Sequence, residues 1–218
     1  MTLKLYSYWR SSAAYRLRIA LALKGLEYET VAVNIAPAAS EQVTGEFRQI
    51  NPQMRVPVLE AEGIRMAQSM AILEWIEETY PAPPLLPDNA VARQQVRAFA
   101  DVIACDVHPL NNLSVLQALR QDLGADDAAV ATWYADWIRR GFTALESVAI
   151  ANADNAFLFG SSPGLAEVCL IPQIYNARRF GLDLGPYPRL VAVDTACLAL
   201  PAFQKAGPEN QPDAPRKS

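Results

Sequence analysis

A short apolar strand that turns directly into a helix constrains this chain more than any other feature. Leu3-Lys4-Leu5-Tyr6 is followed by a polar turn and then by Ala13–Lys24. That segment carries Ala13, Leu17, Ala20 and Leu21 on one helical stripe, with Arg16 and Arg18 off it. Gly25 ends the helix. Tyr28–Val33 alternates and is rich in β-branched residues, which reads as a second strand. Strand, helix and strand in about 30 residues make a βαβ unit, with parallel strands and a right-handed crossover. The turn itself carries Arg10, Ser11 and Ser12. Free backbone N–H groups and the helix dipole make such a turn a place for an anion, a thiolate included.

The chain continues with a weak helix over Ser40–Gln49 and two short strands, Val56–Glu60 and Ile64–Met66, around the hairpin signal Glu62-Gly63. Ser69–Tyr80 is an amphipathic helix with Ile72, Trp75, Ile76 and Tyr80 inside and Glu74, Glu77 and Glu78 outside. The order βαβ, α, ββα predicts a four-stranded mixed sheet with helices on both faces, the thioredoxin-like plan. Pro57 stands at the start of a strand, where either a cis or a trans peptide is tolerated. The proline-rich segment from Pro81 to Pro87 is the strongest boundary signal. Beyond it only helices are expected: Asn89–Leu123 with a bend at Asn111 and Asn112, Asp126–Ile150, Leu165–Phe180 and Tyr187–Ala206. Residues 207–218 read as an extended tail. The expected division is an α/β domain over 1–81, a linker over 82–90 and an all-α domain over 91–218.

Composition excludes several classes. The 218 residues carry a formal net charge of −4, against the basic face of a nucleic-acid binder. No apolar run approaches the ~20 residues of a membrane span, and the start lacks a signal-peptide pattern, so a cytoplasmic location is expected. Cys105, Cys169 and Cys197 show no metal-ligand spacing and lie among apolar helical neighbours, which reads as three buried, inert thiols. One histidine, His108, excludes a multi-histidine metal site.

The plan and several motifs together resemble the zeta-class glutathione transferases. The segment Arg10-Ser11-Ser12-Ala13-Ala14-Tyr15-Arg16-Leu17-Arg18-Ile19-Ala20-Leu21 is similar to the zeta signature, with Ala13 where the signature has cysteine. Asn51-Pro52-Gln53, Val56-Pro57, Gln68-Ser69 and Ile72-x-Glu74 resemble the glutathione-site segments. His108 to Leu116, Pro172 to Phe180 and Pro186-Tyr187-Pro188 resemble the later zeta segments, so the likeness spans nearly the whole chain. The family's Ser/Thr cap and Asp appear as Gly164 and Glu167, a poor capping pair.

The resemblance implies a glutathione-dependent cis–trans isomerase of a maleyl-type diketo acid and a homodimer. Leu113 and Ser114 stand where some maleylpyruvate-specific members carry arginines, which favours maleylacetoacetate. A transferase or dehalogenase of small α-haloacids, or a non-catalytic glutathione-binding module, are the alternatives. The implied roles are specific. Ser11, or else Ser12, activates the thiol, and the other reading of each is a helix cap. Gln68 and Ser69 hold the γ-glutamyl carboxylate, Val56 pairs its backbone with the cysteinyl part, and Gln53 reaches the glycyl end. His108 and Asn112 donate to glutathione or substrate. Arg10 and Arg179 clamp substrate carboxylate, with Arg178 as the solvated neighbour.

Overall fold

The computed structural model describes residues 2–215. Alternation in the first strand, β1 (Leu3–Ser7), sends Leu3, Leu5 and Ser7 into the interior. A helix, α1 (Ser12–Leu23), and a second strand, β2 (Tyr28–Ala32), complete the βαβ unit, and β1 and β2 pair in parallel from Leu3↔Tyr28 to Ser7↔Ala32. The weak helical region resolves into a 3₁₀ turn, Glu41–Val43, and a short helix, α2 (Gly45–Ile50), capped by Thr44. Strands β3 (Val58–Ala61) and β4 (Ile64–Ala67) and helix α3 (Ser69–Thr79) follow. The sheet order is β2-β1-β3-β4, with β3 antiparallel to both of its neighbours. The expected four-stranded mixed sheet is therefore present, although β3 begins at Val58 rather than Val56. The Val56–Pro57 peptide is cis, and so is Ala82–Pro83.

Three side chains that periodicity places outside are in fact buried. Arg16 is 3% exposed, Arg18 0% and Glu77 7%. Helix α1 is wrapped on several sides: it packs against α3 and against a helix from the end of the chain, α9 (Pro201–Ala206). A helix enclosed in this way has no solvent stripe, so its charges must find partners within the protein. Arg18 meets backbone carbonyls. Glu77 meets Lys24 at 2.5 Å and also accepts from the Leu85 N–H at 3.0 Å.

The chain divides into two compact units. One runs to Leu85 and resumes at Leu198, and the other is Leu86–Cys197. The closing segment, which sequence counts with the helical part, packs with the sheet. It is also not extended. Pro208–Asn210 forms a 3₁₀ turn, and Gln211 donates from Nε2 to the carbonyls of Lys205 and Gly207. Residues 216–218 of the expected tail lie outside the described residues.

The second unit contains helices α4 (Ala90–Asp101), α5 (Leu113–Gln121), α6 (Asp127–Ala151), α7 (Leu165–Arg179) and α8 (Pro188–Leu198). No described residue beyond Ala67 is in a strand. The long expected helix Asn89–Leu123 breaks earlier than Asn111. A π-helical stretch, Val102–Val107, leads into a 3₁₀ turn at Pro109–Asn111. Pro109 has no N–H to donate, which ends the regular ladder there. At Gly141, α6 lies against Val107 so closely that a Cβ would collide with the valine methyl. Helix α7 is the core of this unit, with most of its residues buried, Glu167 among them. The Glu167 carboxylate compensates for the side-chain-less cap Gly164: it accepts from the N–H groups of Gly164 and Leu158, each at 2.7 Å. Burial pushes its carboxyl above the usual range, and those two bonds pull it back.

None of the three cysteines is in a disulfide. Cys169 and Cys197 are buried as expected, whereas Cys105, within the π-helical stretch, is exposed.

The buried Lys24–Glu77 pair yields a first prediction. Removing the carboxylate strands a buried ammonium and orphans the Leu85 N–H. Glu77→Ala should therefore cost about 3–5 kcal/mol in urea unfolding, and Lys24→Met with Glu77→Leu should recover much of that loss.

Candidate glutathione-type site at the sheet edge

Topology alone gathers the candidate residues of the first unit. β1 and β4 both run antiparallel to β3, so both end at the same edge of the sheet. β3 starts at that edge, since Val58 pairs with both Tyr6 and Ala67. The turn carrying Arg10, Ser11 and Ser12, the residues Gln53 and Val56 before β3, and Gln68 and Ser69 at the start of α3 therefore converge there. Two helix N-termini, of α1 and α3, open at one edge, and each presents N–H groups that have no intrahelical acceptor.

Each side chain has a defined place. Ser11 is the N-cap of α1, its Oγ accepting from the Ala14 N–H at 3.3 Å. The cap role thus falls on Ser11, while Ser12 is the first helical residue. A capping hydroxyl accepts with its lone pair and keeps its proton for another acceptor. Arg10 lies over the Trp9 ring at 5.2 Å and is half-buried.

Ser69 begins α3 and is buried. Its Oγ accepts from Nη1 of Arg16 at 3.2 Å, so the buried cation of α1 stands directly beneath the start of α3. Gln68 sits at φ 70° and ψ 107°, a conformation that costs a non-glycine residue about 1–3 kcal/mol. Its amide donates to Oε1 of Gln53 at 2.7 Å. Both glutamines are exposed. Gln53 is held in turn by the bond from its N–H to Oδ1 of Asn51 at 3.0 Å. Val56 is buried and lies outside the β-ladder, which starts at Val58.

The remaining candidates belong to the second unit. His108 ends the π-helical stretch, its N–H donating to the Ile103 carbonyl at 2.8 Å. Asn112 is the N-cap of α5, with Oδ1 accepting from the Ser114 N–H at 3.2 Å, so that oxygen is committed to the helix. Arg179 is exposed and lies over the Phe180 ring at 4.3 Å, and Phe180 stacks on Tyr134 at 3.6 Å. Burial pushes the Tyr134 phenol up to about 12, and Arg179 beside it draws it back. Arg178 is exposed, as expected, and is also ion-paired with the buried Asp194 at 2.6 Å.

Sequence reasoning missed Arg16 and Arg18. Both looked like surface charge, and the one available signal was their placement on a helix so rich in alanine and leucine that little of it could face water.

Comparison with known proteins agrees with this geometry. Residues 1–78 match the glutathione S-transferase N-terminal domain. Maleylacetoacetate isomerase of Pseudomonas aeruginosa is 45% identical over 98% of this chain and 99% of its own length. A solved holo maleylpyruvate isomerase, described as a bacterial zeta-class glutathione S-transferase, superposes with a TM-score of 0.94 at 46% identity, covering 97% of this chain and 100% of that one. Maleylacetoacetate isomerase of Anaeromyxobacter dehalogenans, solved with glutathione in its active site, gives a TM-score of 0.87 at 48% identity and covers 98% of both chains. The chain belongs to the glutathione S-transferase family, in its zeta class.

The capping geometry separates the two serines in stability. Ser11→Ala should cost about 1 kcal/mol in thermal unfolding through loss of the cap, and Ser12→Ala, which removes no cap, less than that.

Proposed function

We propose that this protein is a glutathione-dependent cis–trans isomerase that converts maleylacetoacetate to fumarylacetoacetate. The observation that carries the reading is the pair of helix N-termini opening at one sheet edge, one with the Ser11 hydroxyl and the other with Ser69 over buried Arg16. Such an edge suits a ligand with a thiolate at one point and a carboxylate at another. The relative from Anaeromyxobacter dehalogenans, solved with glutathione, supports the same ligand here.

The residues fit that ligand. Gln68, Ser69 and the α3 N-terminus are suited to the γ-glutamyl carboxylate, the Val56 backbone to the cysteinyl amide groups, and Gln53 to the glycyl end. When bound, glutathione supplies a thiolate that adds reversibly to the cis double bond, allowing rotation before it leaves. Ser11 holds the sulfur as an anion by donating its hydroxyl proton, helped by the α1 dipole, and Ser12 is the second donor. Ala13 offers no thiol, so the chain itself contributes no nucleophile at that position. Arg10 in the first unit and Arg179 in the second are the proposed carboxylate clamps, since a guanidinium matches a carboxylate in two places. Both arginines are exposed; Arg178 is ion-paired with Asp194, and Arg179 lies over the Phe180 ring beside Tyr134. His108 and Asn112 are proposed as donors, Asn112 through its amide NH₂ because its oxygen caps α5. No carbon acid is deprotonated, so no general base is required.

Maleylpyruvate is the second substrate reading, because the zeta-class holo structure bears that name at 46% identity. Assembly as a homodimer and a cytoplasmic location, both implied by the family resemblance, belong to the same proposal. In no described helix is there a segment long and apolar enough to cross a membrane.

The test is ultraviolet absorbance of maleylacetoacetate and of maleylpyruvate, with and without glutathione. Glutathione-dependent loss of the cis isomer is expected, faster with maleylacetoacetate. No change with either substrate, or chloride release from a haloacid alone, contradicts the reading. Ser11→Ala should lower kcat by about 10²-fold, as loss of a donor to a developing anion does, far beyond its effect on stability.

A further inference from the structure

The turn between β1 and α1 is gripped from outside itself. It closes with one internal bond, from the Ser11 N–H to the Tyr8 carbonyl at 2.9 Å. Both backbone groups of Trp9, in the middle of the turn, are claimed by distant residues. The Trp9 N–H donates to Oδ2 of Asp213 at 2.8 Å, and the Trp9 carbonyl accepts from Nη2 of Arg18 at 2.9 Å. Nη1 of Arg18 also reaches the Tyr8 carbonyl at 3.4 Å and Oγ of Ser7 at 3.2 Å, while its Nε donates to the Ala206 carbonyl at 3.0 Å. One wholly buried guanidinium thus joins the strand end, the turn and the closing segment. That segment is itself anchored, by Gln211 to Lys205 and Gly207 and by the Lys205–Glu27 ion pair at 2.9 Å.

We propose that Asp213 is a positioning residue of the catalytic turn. Together with Arg18 it fixes the Trp9 peptide, and so aims the Ser11 hydroxyl and seats Arg10 over the Trp9 ring. The inference rests on the function proposed above. A chemical asymmetry favours it over simple stapling. Oδ1 of Asp213 is buried and meets no hydrogen-bond donor among the described residues. Among the described residues the Trp9 N–H is thus the one donor to this carboxylate, which ties it to the turn rather than to its own segment. The same carboxylate accepts from a peptide N–H more strongly than a neutral oxygen does, and so holds the turn more firmly. The closing segment, far from the site in sequence, thereby becomes part of the machinery. The γ-glutamyl and cysteinyl contacts at Ser69 and Val56 do not involve it, so glutathione affinity and turnover should separate.

The experiment compares Asp213→Ala, Asp213→Asn and a chain ending at Gln211, the last in case the alanine variant folds poorly. Four readouts apply: kcat, the KM for glutathione, the pH at which bound thiol ionises, and amide exchange at Trp9 in the ligand-free protein. Asp213→Ala and the shortened chain should lose about tenfold in kcat, in line with sub-ångström misplacement of a catalytic group. Their bound thiol should ionise at higher pH, and their glutathione KM should stay within about twofold. Trp9 exchange should quicken about tenfold in both. Asp213→Asn, which keeps an oxygen for the Trp9 N–H, should recover kcat to within about threefold of wild type. An alanine variant that matches wild type in kcat and thiol ionisation overturns the positioning role. So does a loss of kcat matched by an equal rise in glutathione KM and a lowered melting temperature. A wild-type chain without glutathione-dependent turnover overturns the functional reading instead, while Trp9 exchange still reports whether the grip exists.

Discussion

The structure depends on how one buried cation is satisfied. Arg18 has no contact with water, and its partners here are four oxygens: three main-chain carbonyls and the hydroxyl of Ser7. A charge taken out of water without such partners would cost several kcal/mol. The requirement therefore fixes the end of β1, the turn and the closing segment relative to one another. Arg16, two residues earlier on α1 and so roughly on the opposite side of the helix, does the same there, reaching Ser69 at the start of α3. The candidate site lies above these two cations. Its hydroxyls and helix ends are held by the interior rather than by solvent-exposed loops, as preorganised anion stabilisation requires.

This arrangement explains how a protein with a net charge of −4 can favour anionic ligands. Two helix N-termini, and Arg10 on the turn, concentrate positive potential at one sheet edge, whatever the overall balance. It also accounts for the substitution of the family cysteine by Ala13. If the sulfur is brought by the ligand, the protein has only to hold an anion at that point, and Ser11 can do so while it caps α1.

The sheet was legible because its signals are local. A short apolar run marks β1, period-two alternation marks β2, the Glu62-Gly63 turn marks β3 and β4, and the proline-rich segment marks the end of the sheet's helices. The motif resemblance added which of the many polar residues to look at, and chain topology then brought Ser11, Gln53, Val56, Gln68 and Ser69 to one edge. What was not legible is what depends on enclosure by distant parts of the chain. Arg16, Arg18 and Glu77 look exposed by helical period, and become interior only because α1 is covered by α3 and by a helix some 180 positions later. The tail looked extended from its prolines, yet Pro208 opens a 3₁₀ turn and Asp213 returns to Trp9. Arg178 and Arg179 are adjacent and chemically identical, and only their distant partners, Asp194 for the first and Tyr134 for the second, tell them apart.

The central claim is that the α1 turn holds a glutathione sulfur as its anion. The direct measurement is the ultraviolet absorbance of thiolate on titrating the glutathione-loaded protein with pH. The account predicts that the bound thiol ionises with an apparent pKa of about 7.5 or lower, against ~8.5 for an unperturbed thiol, and that Ser11→Ala returns it toward the free value. A bound thiol that ionises no more readily than free glutathione would contradict it.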